Sequence, residues 1–287
     1  MPAFDFKPYF SKLNTYLDLR DLAPNTRKSY LSFLRSYLTW LADLGISPEK
    51  ASYEDIRNYI LYLKNVKGLK NHSINAHTSQ IRFFRLYILK QPWDRFEVPT
   101  MKYHTTLPEI LTLEETLVFI GSMGNLKHKT CVALLYSSGL RVSELCHLRY
   151  QDISRKDMRI FISASKNRSE RYALLSGKAL DILTEYWNHY GRPKGWLFPG
   201  AKKDAPIVTY TVSCFIKKHL EHLGWTNHVS AHTFRHSFAT HLYERGEDLL
   251  TIQNLLGHKS INSTTLYIHL ARKGPVQTRS PFDWEVE

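Results

Sequence analysis

The sequence predicts a mainly α-helical protein of two domains that also contains a small antiparallel β-sheet. Its 287 residues are 43% hydrophobic, which is enough apolar material for a large core divided between two domains. Apolar side chains recur at helical spacing over most of the chain, and the pattern changes to that of strands only between Leu148 and Ser176. Disordered and collagen-like classes of protein are therefore excluded.

Four helices are predicted in residues 1–93, which form the first domain. Across 26–44 the apolar residues lie on one helical stripe, and Gly45 follows as a stop signal. A second helix begins at Ser52, whose hydroxyl can cap free backbone N–H groups, and ends at Gly68. The other two helices are expected over 6–19 and 71–89.

One helix of the first domain carries a polar face. His72, Asn75, Ser79 and Arg82 recur at helical spacing opposite the apolar stripe. Amide and guanidinium groups on one helix face can read base edges in the major groove of DNA. The alternative is an ordinary solvated face, and the spacing alone leaves both open.

Residues 94–108 are predicted to be an extended linker, because they lack periodicity and contain Pro99 and Pro108. The second domain, 109–272, begins at a capping box formed by Thr112 and Glu115. Two strands are expected in it, over 159–163 and 171–176. Its helices are expected over 113–123, 127–138, 142–147, 178–190, 209–223, 234–245 and 248–256.

The chain is strongly basic, with a formal charge of +13 from 39 Lys and Arg against 26 Asp and Glu. Residues 1–100 carry 15 basic and 9 acidic side chains, and the remainder carry 24 and 17, so both halves share the excess. A polyanion such as DNA is the partner that this charge suggests, and a merely soluble basic protein is the alternative.

The cysteine pattern favours a reducing compartment. Cys131, Cys146 and Cys214 are far apart, so neither a disulfide framework nor a cysteine-rich zinc site is indicated. The chain shows no signal-peptide pattern and no apolar run of about 18 residues, so secretion and membrane insertion are not expected. We expect a cytoplasmic protein that joins the nucleoid when it binds DNA.

Chemistry-bearing residues occur in four short patterns of the second domain. They are Gly139-Leu-Arg141-Val-Ser-Glu144, the turn lysine Lys166, His232-Thr-Phe-Arg235-His236, and Gly257-His258 followed nine residues later by Tyr267. Each pattern is common by itself, but the ordered set resembles the tyrosine site-specific recombinases, the phage-integrase-like family that exchanges DNA strands. The resemblance covers nearly the whole chain and is closest to compact recombinases of the Xer-like or mobile-element type, since no separate arm-binding domain is expected before Phe4.

The resemblance implies a helical, SAM-like core-binding domain followed by a tyrosine-recombinase catalytic domain. Breaking a phosphodiester requires a nucleophile, stabilisation of charge on the phosphate oxygens and a proton for the leaving oxygen. Arg141 and Arg235 suit the second task, because a guanidinium donates paired hydrogen bonds and stays charged. Tyr267 would be the nucleophile and would form a 3′-phosphotyrosine, so that ATP is not needed.

The remaining roles are those that the resemblance implies. Lys166 would protonate the leaving 5′ oxygen, although the family often has glycine beside this lysine and Arg168 or Arg171 could be the phosphate contact instead. His232 and His258 would hydrogen-bond the scissile phosphate, and His232 could also take the tyrosine proton. Glu144 would orient His232 or an arginine, unless it makes an ordinary helix salt bridge.

No metal or other cofactor is expected. His232 and His236 are four residues apart, but H-E-x-x-H is absent and the two arginines of the set would repel a cation. The expected partner is double-stranded DNA carrying inverted repeats. The family's assembly is four protomers on two duplexes, formed from free monomers or dimers.

The tail, 273–287, contains Phe282 and Trp284 as possible apolar anchors. In the family this segment docks onto a neighbouring protomer, and a frayed terminus is the alternative. Two other functions compete with recombination. One is a sequence-specific DNA-binding or architectural protein without strand exchange, and the other is a type IB topoisomerase.

Overall fold

The computed structural model describes residues 5–103, 106–163, 170–192, 194–202 and 204–271. The chain divides into two compact units between residues 105 and 106. This boundary lies inside the segment 94–108 that the sequence marks as a linker. Within the described residues, no helix is both long enough and apolar enough to cross a membrane.

The first unit is built from four helices around an apolar core. Leu17, Leu38 and Tyr59 are fully enclosed in it, and Ile74 joins them from the last helix. Ser52 and Asp55 form a capping box that fixes the start of the third helix. The helices are α1 (Lys7–Leu19), α2 (Pro24–Asp43), α3 (Tyr53–Asn65) and α4 (Asn71–Phe83).

The predicted helix over 71–89 changes its winding near its end. Residues Phe84–Ile88 form a π-helical turn, in which the Leu89 N–H donates to the Phe84 carbonyl at 3.1 Å. The wider turn contains an extra residue, which lets the neighbouring residues Phe83 and Phe84 both be buried together with Ile88. Periodicity alone predicts a continuous α-helix here, because both windings place apolar residues inward.

The first part of the predicted linker packs against the first unit. Val98 is 4% exposed and belongs to its core. The Asn75 side chain donates to the Met101 carbonyl at 2.9 Å and accepts from the Met101 N–H at 3.0 Å. The first part of the predicted extended linker is therefore held against the first unit, because side chains of that unit satisfy the backbone groups of the segment.

The second unit is organised around α6, whose residues from Thr130 to Leu135 are all buried. The capping box of Thr112 and Glu115 is present, with the Thr112 N–H donating to the Glu115 carboxylate at 2.7 Å. The helices are α5 (Leu113–Gly121), α6 (Leu126–Ser137), α7 (Val142–Cys146), α8 (Gly177–His189), α9 (Thr209–His222), α10 (Ala231–Glu244), α11 (Leu249–Leu256) and α12 (Leu266–Leu270).

A three-stranded antiparallel sheet lies between α7 and α8, in the order β1 (Ile153–Ser154), β2 (Arg159–Ile162) and β3 (Arg171–Leu174). Ile160 pairs with Ala173, and both point into the core. The sequence predicts two strands that are each slightly longer than observed. It misses β1, because two residues cannot display an alternating pattern.

Helix α10 begins three residues earlier than predicted, at Ala231. Ser230 and Thr233 cap its first turn, where the Ser230 N–H donates to the Thr233 hydroxyl at 3.1 Å. The earlier start places His232 and Arg235 one turn apart on the same helix. Helices α10, α11 and α12 share a second apolar cluster that includes Phe238, Leu256 and Tyr267.

Gly139 is held in a position that a side chain cannot occupy. Its φ is +59°, and a Cβ atom there would lie 2.5 Å from the Phe238 ring. We expect Gly139→Ala to lower the free energy of unfolding by about 2–5 kcal/mol, from backbone strain plus overpacking. Gly224→Ala is the control, since Gly224 has φ +67° but nothing within 4 Å, and it should cost only about 1–2 kcal/mol. Equal losses in urea unfolding would contradict the proposed clash.

Candidate active site

Arg141 lies at the start of α7, where Glu144 holds both its backbone and its side chain. The Arg141 N–H donates to Glu144 Oε2 at 2.9 Å, and Nη1 donates to Oε1 at 2.7 Å. Nη2 reaches the Gly257 carbonyl at 3.1 Å, which ties α7 to the turn after α11. The guanidinium is thus fixed from two directions, with its side chain 15% exposed.

Arg235 projects from α10 into the same region and is only 3% exposed. Nη1 donates to the Gly139 carbonyl at 2.6 Å and Nη2 to the Leu256 carbonyl at 2.7 Å. Burial and the neighbouring Arg141 lower the pKa of Arg235 to about 9. The guanidinium therefore remains charged at neutral pH, although its surroundings destabilise the charged form.

Glu144 is the carboxylate that offsets these charges. Arg171 approaches it with both terminal nitrogens, Nη1 to Oε1 at 2.9 Å and Nη2 to Oε2 at 2.8 Å. Arg235 Nη1 is 4.0 Å from Oε2. Burial raises the pKa of Glu144, but the hydrogen bonds and charges of Arg171 and Arg141 outweigh burial and lower it to about 2. The sequence predicts that Glu144 orients His232 or an arginine. In the structure its carboxylate binds arginines.

Arg171, which the sequence predicts to contact DNA, binds protein groups in the structure. Besides its two bonds to Glu144, its Nε donates to the Leu255 carbonyl at 3.0 Å. Its side chain is 9% exposed. The guanidinium is thus occupied on three sides by protein groups. The sequence could not indicate this, because Glu144 and Leu255 are distant from Arg171 along the chain.

The C-terminal end of α11 is where the arginines meet. Gly257 adopts φ +61° there and lets the His258 N–H donate to the Gln253 carbonyl at 3.1 Å. The three carbonyls from Leu255 to Gly257 each accept from an arginine. Leu255 accepts from Arg171, Leu256 from Arg235 and Gly257 from Arg141.

His258 follows this turn directly and is oriented by Thr264. Its Nδ1 lies 3.0 Å from the Thr264 hydroxyl oxygen, and this contact fixes the orientation of the ring. Burial and the charges of Arg235 and Arg141 lower the pKa of His258 to about 4, which keeps the ring neutral at neutral pH.

Tyr267 lies on α12 and is 1% exposed. Its ring is stacked on that of His258, with centroids 6.2 Å apart and planes at 13°. Burial raises the pKa of Tyr267, whereas Arg235 and Arg141 act in the opposite direction. The phenol therefore lies within the electric field of both guanidinium groups.

Two further histidines lie near the site, and their rings are 6.4 Å apart. His232 is exposed at the first turn of α10, and partial burial together with Arg235 and Arg141 lowers its pKa. His236, considered from the sequence only as a metal ligand, lies with its ring 5.9 Å from that of Tyr267. Its Nδ1 is buried without a hydrogen-bond partner in the described part of the chain. Only the tertiary fold brings His236 beside Tyr267.

The other predicted site residues are separate from this cluster. Lys166 and Arg168 lie outside the described residues. On α4, His72, Ser79 and Arg82 are exposed, and the His72 ring contacts that of Tyr103 at 5.2 Å. The Asn75 amide makes two hydrogen bonds to the Met101 backbone. Hydrogen bonds from this amide to DNA bases, as predicted, would compete with them. Within the described residues, no group of three or more His, Cys, Asp or Glu could hold a metal ion.

Two family models match the chain in the order of its two units. Residues 9–95 match the N-terminal SAM-like domain of phage integrases, and residues 103–273 match the phage integrase family itself. The chain belongs to the phage integrase family.

Relatives of this integrase-family chain cover most of its length. A protein of Sinorhizobium fredii named as an integrase or recombinase, y4qK, is 36% identical over 96% of this chain and 89% of its own. The tyrosine recombinase XerD of Chlorobaculum tepidum is 32% identical over 93% of this chain and 94% of its own.

Solved structures share the fold at lower identity. The Tn1549 transposon integrase in complex with circular intermediate DNA has a TM-score of 0.74 at 18% identity, covering 90% of this chain and 94% of that one. The XerH recombinase bound to a palindromic difH substrate has a TM-score of 0.70 at 20% identity, covering 92% and 82%. These likenesses support the predicted combination of a SAM-like domain and an integrase catalytic domain.

Glu144 should contribute to stability in a pH-dependent way. Its pKa is lowered from 4.5 to about 2 in the folded protein, so its contribution is complete above pH 5 and declines as the pH falls towards 2. We expect Glu144→Gln to lower the free energy of unfolding by about 3–5 kcal/mol at pH 7, because buried arginines lose their counter-charge. The difference from the unmodified protein should shrink at pH 3.

Urea unfolding at pH 7, 5 and 3 measures this difference. Glu221→Gln is the matched control. Glu221 pairs with Lys217 at 3.8 Å on the surface, where its side chain is 62% exposed. It should change stability by less than about 0.5 kcal/mol. A Glu144→Gln effect of the same size at every pH would contradict the lowered pKa.

Proposed function

We propose that this member of the phage integrase family is a site-specific tyrosine recombinase that cleaves and rejoins DNA strands through a 3′-phosphotyrosine at Tyr267. One observation carries the proposal. Arg141, Arg235, His258 and Tyr267, which are separated by up to 126 positions along the chain, meet around the C-terminal end of α11.

The chemical step needs only groups that the protein and DNA supply. The Tyr267 oxygen attacks phosphorus and forms a P–O bond, while the bond from phosphorus to the 5′ oxygen breaks. The tyrosine proton passes to His232 or to water, and Lys166 gives a proton to the departing 5′ oxygen. Attack by a 5′ hydroxyl on the phosphotyrosine reverses the step. One phosphoester replaces another, so the proposal requires no ATP.

The arginine cluster suits the charge that develops on the phosphate. Three guanidinium groups share one carboxylate, Glu144, which leaves two positive charges in excess. The carbonyl groups that hold Arg141 and Arg235 fix these donors before substrate arrives, so little reorganisation is needed during the reaction. This excess of fixed positive charge supports catalysis without a metal ion.

The proposed partner is double-stranded DNA with inverted repeats, on which four protomers bring two duplexes together. The net charge of +13, spread over both halves, favours many phosphate contacts. Structural neighbours are described as bound to transposon circular-intermediate DNA, to difH and to a phage core site. The Tn1549 neighbour also supports a role in the movement of a mobile element.

Tyr267→Phe should abolish covalent attachment to DNA, because the nucleophilic oxygen is missing. The measurement uses nicked suicide substrates carrying inverted repeats from the surrounding genome, with denaturing gels to detect the adduct. Tyr243→Phe is the control, since Tyr243 is buried in the same apolar cluster. An adduct that persists in Tyr267→Phe would overturn the assignment. Relaxation of supercoiled plasmid without any such site would indicate a topoisomerase instead.

Arg235→Lys should slow cleavage by about 10²–10³-fold, because lysine cannot reproduce the fixed fork of donors. DNA affinity should change little, since the charge remains and the contact is one among many. Arg245→Lys, an exposed substitution at the end of α10, is the matched control. The rates are measured as single-turnover cleavage at saturating DNA. If the variant has a lower Tm and weaker DNA binding, and cleavage falls only as much as DNA binding does, Arg235 is a purely structural residue.

A further inference from the structure

We propose that Arg171 is a positioning residue for strand cleavage. It holds Arg141 and the Gly257–His258 turn in their working positions and does not itself contact the DNA phosphate. This inference rests on the proposed recombinase function and extends it to a residue outside the recognised set. It begins from the three protein contacts that occupy the Arg171 guanidinium.

The first contact is the paired interaction with Glu144. Both terminal nitrogens of Arg171 bind this carboxylate, at 2.9 and 2.8 Å, and both side chains are 9% exposed. The same carboxylate binds Nη1 of Arg141 at 2.7 Å and the Arg141 backbone N–H at 2.9 Å. Arg171 therefore fixes the group that orients Arg141.

The second contact is with the end of α11. Arg171 Nε donates to the Leu255 carbonyl at 3.0 Å, two residues before Gly257. The Arg171 side chain also lies directly against Gly257, since a Cβ atom on that glycine would be 2.8 Å from Arg171 Cδ. Arg171 thus supports the turn from which the Gly257 carbonyl binds Arg141 and from which His258 emerges.

Replacing Arg171 would change which arginines the Glu144 carboxylate attracts. Glu144 would keep Arg141 and would have Arg235 Nη1 only 4.0 Å from Oε2. A buried carboxylate that loses its paired donor attracts the nearest remaining cation. Arg235 or Arg141 would then turn towards Glu144 and away from a bound phosphate. The effect of the substitution would therefore reach the phosphate through other residues.

The central variant is Arg171→Lys, which keeps the charge but cannot bind Glu144 with two nitrogens and Leu255 with a third. The matched control is Arg159→Lys, on the neighbouring strand β2, where Arg159 is exposed and stacks over Tyr172. Glu144→Asp is a second variant. It retains all charges but is one methylene too short to bridge Arg141 and Arg171, so it tests the same linkage if Arg171→Lys does not fold.

Two quantities are measured on a suicide substrate: DNA affinity as a function of salt, and the single-turnover cleavage rate at saturating DNA. The cleavage rate is also measured on a methylphosphonate version of the same substrate. In the last substrate a methyl group replaces one non-bridging oxygen of the scissile phosphate, so its cleavage needs less cationic stabilisation. Arg171→Lys should leave the affinity and its salt slope unchanged. It should slow phosphodiester cleavage by about 100-fold, because the arginines are displaced by a fraction of an ångström or more.

The methylphosphonate rate distinguishes positioning from general loss of structure. If Arg171 acts through the arginines, the loss on the neutral substrate should be less than about 10-fold, because fewer donors to the phosphate are needed there. Arg159→Lys should match the unmodified protein on both substrates. Glu144→Asp should repeat the pattern of Arg171→Lys, with the larger loss on the charged substrate.

Two outcomes would overturn the inference while leaving the recombinase function intact. A salt slope that falls by about one phosphate contact would show that Arg171 binds DNA directly. Equal losses on both substrates would show a structural role without any link to the phosphate. A different failure, in which the unmodified protein forms no Tyr267-dependent adduct, would reject the recombinase function and this inference with it.

Discussion

The carboxylate of Glu144 is the interaction on which the second unit depends most. It lies among Arg141, Arg171 and Arg235, and both of its oxygens are used. Three guanidinium groups with side chains at most 15% exposed would repel one another strongly without it. The same carboxylate caps α7 and binds the first residue of β3, so helix, sheet and site are joined at one side chain.

The C-terminal end of α11 provides the other half of this arrangement. Carbonyl groups at a helix C-terminus lack partners within the helix and carry the negative end of its dipole. Here the three carbonyls from Leu255 to Gly257 accept from three arginines. This use of the helix end also explains the neighbouring glycines. Gly257 permits the left-handed turn that ends the helix, and Gly139 lets Phe238 and Leu256 pack directly against the backbone.

Local sequence patterns predict much of this fold, because the helices carry complete apolar stripes and recognisable caps. The capping boxes at Ser52 and Thr112 and the alternation in β2 are each determined by residues a few positions apart. The sequence does not predict the π-helical turn after α4 or the strand β1, because tertiary packing produces the first and strand pairing the second. The sequence predicts a late start for α10, because the polar residues His232 and Thr233 in its first turn interrupt the apolar pattern.

The candidate site divides in the same way. Arg141, His232, Arg235, His258 and Tyr267 could be named from the ordered motifs, and the structure brings them together. The partners that hold them could not be named. Arg171 and Glu144 are 27 positions apart, and nothing in the spacing between them reports that they meet. His236 was visible in a motif, but its place beside Tyr267 depends on how α12 packs against α10.

The lowered pKa of Arg235 shows that its positive charge lies in an electrostatically unfavourable environment. Three guanidinium groups face one carboxylate, so two positive charges are not offset. Burial keeps water from screening them. A bound phosphate would supply the missing negative charge, so anion binding and stability of the second unit must be linked. In the proposed reaction, this imbalance favours a phosphate whose negative charge increases in the transition state. A second buried carboxylate would offset the remaining positive charge and would weaken the attraction for a phosphate, at its own cost in desolvation.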